Sequence, residues 1–144
     1  MPRHHLPGLL VVVAAVVVIG CTDEVDVFSL DVGDCFDQVQ PGDGAVQSVT
    51  SVDCDQPHEH EVYAIYELDD GAWPGSDEVR AEAEDGCRTR FEVYVGTPYA
   101  DSELQAAAFW PTEESWREQD DREVVCFLSG QDERLTGSMR GAER

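Results

Sequence analysis

Five cysteines in 144 residues constrain this chain more than any other feature, because one of them stands apart from the rest. Cys21 ends the run Val18-Ile19-Gly20-Cys21, a small residue and then a cysteine at the close of an apolar stretch. That is the junction of a bacterial lipoprotein signal. Cleavage before Cys21 would make it a lipid-bearing N-terminus and remove it from disulfide chemistry. Cys35, Cys54, Cys87 and Cys126 then remain, an even set in an exported domain, which reads as two disulfides. Three pairings exist, and local geometry favours Cys35–Cys54 with Cys87–Cys126. The first pair flanks the polar loop Gln38 to Ala45, whose Pro41-Gly42-Asp43-Gly44 turns the chain back. The second pair falls in a helix-like and a strand-like segment that can pack face to face. No two cysteines have zinc-knuckle spacing, and thiols outside the cytoplasm pair before they bind metal.

The leader has the parts such a signal needs: Arg3 near the amino end, an apolar run from Leu9 to Ile19, and Gly20 beside the cleaved bond. As a helix that run would cover roughly 17 Å of a ~30 Å hydrocarbon core, too little to span it. The plainer alternatives are an ordinary signal peptide with a chance cysteine, or a short uncleaved anchor. Residues 1–20 are therefore read as signal, 21–29 as the lipidated cysteine with an acidic tether, and 30–141 as the folded domain. This places the protein on the extracytoplasmic face of the cell membrane, fastened by acyl chains.

The formal net charge is −22, and every basic residue is arginine. A surface of that sign repels phosphate backbones and anionic headgroups, so nucleic acid is excluded as a partner. The same charge can simply keep the domain soluble, or it can attract cations or a basic partner.

The pattern of the folded part is that of a small α+β domain, an antiparallel sheet packed on one main helix and stapled by two disulfides. Val46 to Val52 and Glu61 to Leu68 read as strands. In the second, Val62, Ala64, Tyr66 and Leu68 alternate with Glu61, Tyr63, Ile65 and Glu67, which suits a sheet covered on one side. Val79, Ala83, Cys87, Phe91 and Tyr94 form a helical stripe, with Ser76 placed to cap it and Gly96 to close it. Leu104 to Trp110 and Arg122 to Leu128 read as further strands. Pro111 to Arg117 reads as a turn or two of helix capped by Thr112, and Arg134 to Met139 as a short edge strand.

Pro57-His58-Glu59-His60-Glu61 is the stretch with chemical potential. In a strand His58 and His60 share one face and Glu59 and Glu61 the other, so two imidazoles could begin a zinc or copper site with a third ligand from elsewhere. The plainer reading has His58 bonding backbone groups in the turn after Cys54, with His60 and Glu61 as ordinary strand-surface residues. The spacing lacks the logic of known metal motifs, so no metal or other cofactor is expected. Trp73, Trp110 and Trp116 could line a groove, but in a small core such residues mostly pack. His58, His60, Glu61, Trp73 and Trp116 are the candidate binding residues. No nucleophile elbow or phosphate loop is present, so no catalytic residue is assigned and an enzyme is not expected.

Several fragments recur in order. They are Gly33-Asp34-Cys35-Phe36, then Val52-Asp53-Cys54-Asp55-Gln56-Pro57-His58-Glu59-His60-Glu61-Val62, Trp73-Pro74-Gly75, and Cys87 with Phe91 and Tyr94-Val95-Gly96. Pro111-Thr112, Ser115-Trp116, Asp121-Arg122, Val124-Val125-Cys126 and Thr136-Gly137-Ser138-Met139 complete the set. Over nearly all of residues 30–141 this resembles the septum-formation domain family, membrane-anchored extracytoplasmic domains found mostly in actinobacteria. The resemblance implies a non-catalytic module in division or envelope organisation, with an envelope or division protein as partner. The lipid anchor departs from the transmembrane helix of many relatives, and Arg140 stands where relatives often carry lysine. The rival reading is a metal-binding protein or small metalloenzyme using His58 and His60.

Overall fold

The computed structural model describes residues 23–41 and 46–144. The expected leader, the lipid site at Cys21 and the tip of the Pro41–Ala45 loop lie outside the described residues. Among those described, no helix is long and apolar enough to cross a membrane.

Six strands, β1 (Asp23–Asp26), β2 (Cys35–Pro41), β3 (Val46–Val52), β4 (His60–Glu67), β5 (Leu104–Phe109) and β6 (Glu123–Gly130), form one antiparallel sheet in the spatial order β1-β3-β2-β4-β6-β5. One long helix, α1 (Ser76–Val95), and one short one, α2 (Glu113–Glu118), complete it. Two disulfides, Cys35–Cys54 and Cys87–Cys126, staple it. Fold class and both pairings are those expected.

The stripe Val79, Ala83, Cys87, Phe91 and Tyr94 is buried along its whole length. A fully buried side chain such as Val79 or Phe91 contributes about 1.5–3 kcal/mol. Gly86 lies on the same helix, and a Cβ there would sit 2.0 Å from Tyr66 Oη. Glycine lets Tyr66 of β4 reach the helix and donate to the Ala83 carbonyl at 3.1 Å. The helix cap is not Ser76 as expected. Gly75 holds the N-cap at φ 113°, a conformation side chains disfavour, and Ser76 becomes the first helical residue. Gly96 closes the helix in the left-handed conformation, and Thr112 caps α2 in a reciprocal box with Ser115, both as expected.

The sheet is covered on both sides, not one. Along β6, Val124, Cys126 and Leu128 point toward α1, while Val125 and Phe127 join Val27, Leu30, Phe36, Val49 and Val62 on the other side. In β4 the expected alternation fails at a bulge between Val62 and Ala64, which puts Tyr63 and Ala64 in the same core. Glu61, Val62, Tyr63 and Ala64 are all buried as a result.

Two other expectations are corrected. The segment read as an acidic tether, 21–29, supplies β1 and a single 3-10 turn, Val27–Ser29, with Val27 buried. Arg134 to Met139 is no strand. It makes one isolated bridge, His58 to Leu135, and then crosses as a strap whose amides donate in turn to different elements. Gly137 reaches the Cys54 carbonyl, Gly141 that of Tyr94 and Glu143 that of Val95. A segment that serves so many partners cannot keep a ladder.

Candidate functional site

The stretch from Pro57 to Glu61 divides between the two cores. His58 precedes β4 and is fully buried, with Nδ1 2.8 Å from the Gln56 carbonyl oxygen. A carbonyl only accepts, so Nδ1 carries the proton, and Nε2 has no hydrogen-bond partner among the described residues. This is the backbone bond expected for a histidine in that turn. Glu61 is also fully buried, on the α1 side of the sheet. Its Oε1 accepts from Tyr94 Oη at 2.6 Å and Ser138 Oγ at 2.5 Å, and its Oε2 from the Met139 amide at 2.7 Å. Burial, with the bond to Glu61 adding, pushes the Tyr94 hydroxyl up to about 12. Glu61 thus ties β4, α1 and the strap together, and is not the surface residue considered above.

His60 faces the other way. Its ring packs at 5.0 Å from Phe36 and 5.2 Å from Phe127, and burial holds its imidazole below the ordinary value. The shared face expected for His58 and His60 is therefore absent, because only His60 lies inside the strand. His58 instead has Glu61 and Cys35 as neighbours, with potential ligand atoms within 4.8 Å of one another. Cys35 Sγ is bonded to Cys54 and Glu61 already accepts three hydrogen bonds, so only His58 Nε2 is available to a metal. This donor set suits a structural knot better than a metal centre.

Trp73 and Trp116 pack edge to face at 5.5 Å, and Trp116 Nε1 donates to the Gly71 carbonyl at 3.0 Å. The Arg122 guanidinium lies 3.8 Å over the Trp116 ring. These two tryptophans are structural, as small cores favour. Trp110 behaves differently.

Residues after β1 and at the end of β5, the two edge strands, line one groove of about 350 Å³. Four strand spacings separate β3 from β5, roughly 19 Å in a flat sheet. Val46 of β3 and Phe109 of β5 nevertheless line the same groove, so the sheet must curl its edges toward each other. Val27, Val125 and Phe109 form an apolar floor, with Phe28 and Trp110 at its sides. Phe28 is 55% exposed and Trp110 37%, and they are two of the four exposed large apolar side chains among the described residues. Such a clustering of apolar surface marks a contact site more than scattered exposure does.

Acidic side chains complete the lining: Glu114, Asp121 and Glu123 contribute to it, and among the described residues no arginine does. Asp121 accepts from Ser115 Oγ at 2.8 Å and from the Glu123 amide at 3.0 Å, which fixes its position. Burial, then the charges of Asp121 and Glu67, hold the Glu123 carboxyl above the usual carboxylate range. Few local marks of this site are legible in the sequence. Phe28 sits in a segment that reads as tether, and Trp110 reads like the two tryptophans that pack.

The septum-formation family model matches residues 20–137, and the chain belongs to that family. No curated protein matches it, and no solved structure does.

Proposed function

We propose that this member of the septum-formation family is a non-catalytic binding module, lipid-anchored on the extracytoplasmic face of the cell membrane. Its groove holds a protein of the septum or envelope. The observation that carries this reading is the groove itself, where Phe28 and Trp110 stay exposed while the other candidate side chains are used in packing or buried bonds. The absence of a catalytic role is supported by the same contrast. His58, Glu61 and Tyr94 are buried among one another, and all four cysteines of the domain are oxidised.

The anchor and the groove work together. Strand β1 begins two residues after Cys21, so an acylated Cys21 holds the sheet against the bilayer. Phe28 is seven residues from it, at most about 25 Å of extended chain. The partner therefore presents its docking segment close to the membrane surface.

A fluorescent fusion expressed from the native locus tests the reading. The wild-type protein concentrates at septa, while a Phe28→Ser/Trp110→Ala variant stays folded and membrane-bound but disperses. Mass spectrometry of the membrane-extracted protein finds an acyl group on Cys21. Even distribution of the wild-type fusion, with normal septa in a deletion strain, would overturn the division role.

A further inference from the structure

We infer that the groove takes an extended, arginine-bearing peptide segment of the partner, its apolar side chains on the Phe28–Phe109–Trp110 side and its guanidinium against Glu123 and Asp121. This rests on the reading of the groove as the binding site and adds the chemistry of its occupant.

Charge complementarity selects the occupant. An apolar floor beside three carboxylates, with no cation lining it among the described residues, presents an acidic surface suited to a cationic group. Partial burial, then the charges of Asp121 in the groove and Glu67 outside it, already disfavour the ionised form of Glu123. A guanidinium placed there would relieve that repulsion and could fork onto both carboxylates, as arginine geometry allows. It would also find aromatic surface at Trp110 and Phe28. The fold uses the same pairing internally, with Arg90 3.8 Å over Tyr66 and Arg122 3.8 Å over Trp116. An anionic headgroup or phosphate fits nowhere on this surface.

The position of the groove says why the segment is extended. It lies between the two edges of the curled sheet, and among the described residues β5 pairs with β6 alone. The outer backbone of β5 is therefore open to a further strand, with alternate side chains of that strand directed into the groove.

Labelled eight-residue peptides binding to the purified domain, followed by anisotropy, test the inference. One alternates leucine with arginine, one leucine with glutamate, one serine with arginine, and one leucine with serine. The leucine–arginine peptide binds most tightly. Trp110→Ala weakens it about tenfold and Glu123→Gln about threefold, and raising the salt narrows the Glu123 effect. Equal binding of the serine–arginine peptide, or no loss in Trp110→Ala, would mean attraction to the overall charge and overturn the inference. Tighter, Trp110-dependent binding of the leucine–glutamate or leucine–serine peptide would also overturn it, while leaving the groove as the docking site. Trp110-independent binding by all four removes both.

Discussion

The two faces of one sheet are closed in different ways, and the difference separates stability from recognition. The face under α1 is sealed by a twenty-residue helix, by the Cys87–Cys126 disulfide and by a buried carboxylate that binds three partners. The other face is closed by the curl of the sheet and by Val27 and Leu30 from the chain after β1. It ends in a groove with exposed aromatic side chains. A closed face leaves nothing for a partner to hold, whereas a half-closed one offers apolar area already organised by its neighbours.

The largest test of this contrast is Glu61→Ala set beside Trp110→Ala. Removing Glu61 leaves the Tyr94 hydroxyl and the Met139 amide unpaired inside the protein, while the Ser138 hydroxyl is exposed and can turn to water. Each buried orphan costs about 1–3 kcal/mol, and together they should remove roughly 3–5 kcal/mol from unfolding in urea. Trp110→Ala, on a partly exposed groove wall, should cost under about 1 kcal/mol. Similar losses for the two would erase the distinction between a structural and a recognition face.

The disulfides sharpen the same comparison at a slightly smaller scale. Cys87–Cys126 closes 39 residues and Cys35–Cys54 closes 19. Loop entropy then gives stabilisation of ~4 and ~3 kcal/mol. Replacing Cys87 and Cys126 together by alanine should lower the urea midpoint more than replacing Cys35 and Cys54. The second replacement should also loosen the strap, because Gly137 donates to the Cys54 carbonyl. Hydrogen exchange at Gly137 checks that. Protection unchanged there would show that the strap is held without the disulfide, by Glu61 and the His58–Leu135 bridge.

What could be read from the sequence follows the range of the interactions. The α1 stripe repeats within one turn, so its register and its buried face were legible, as were Gly96 and Thr112 at the helix ends. The cysteine pairs were legible because four cysteines allow only three pairings and the chain turns back between Cys35 and Cys54. Glu61 was not, since its three partners come from residues 33, 77 and 78 positions away. No local pattern marks a glutamate as buried when its ligands are that distant. Strand β1 was hidden for the opposite reason. Asp-Glu-Val-Asp has the composition of a solvated tether, and only pairing with β3 makes it a strand. The groove depends on curl across six strands, and of its lining residues only Trp110 was considered for a groove from the sequence.

His60 supplies the smallest effect and the finest test, because its half-buried ring packs on the core beneath the half-closed face. Burial holds its imidazole below the ordinary value, and the charges of Glu59 and Asp37 oppose that only in part. The unfolded chain takes up a proton near pH ~6.5, before the folded protein does. Between that pH and the depressed folded value, the unfolded state binds more protons, so stability falls as pH drops through the window and is complete above it. His60→Phe keeps an aromatic ring against Phe36 and Phe127 and removes the titration. Urea unfolding at about pH 7.5 and about pH 5.5 should then show a smaller loss in the variant than in the wild type. Carboxylates titrate alike in both proteins, so the difference between the two slopes belongs to His60. Equal slopes would mean that the ring takes up its proton in the folded protein as readily as in the unfolded chain, and that packing on Phe36 and Phe127 does not desolvate it.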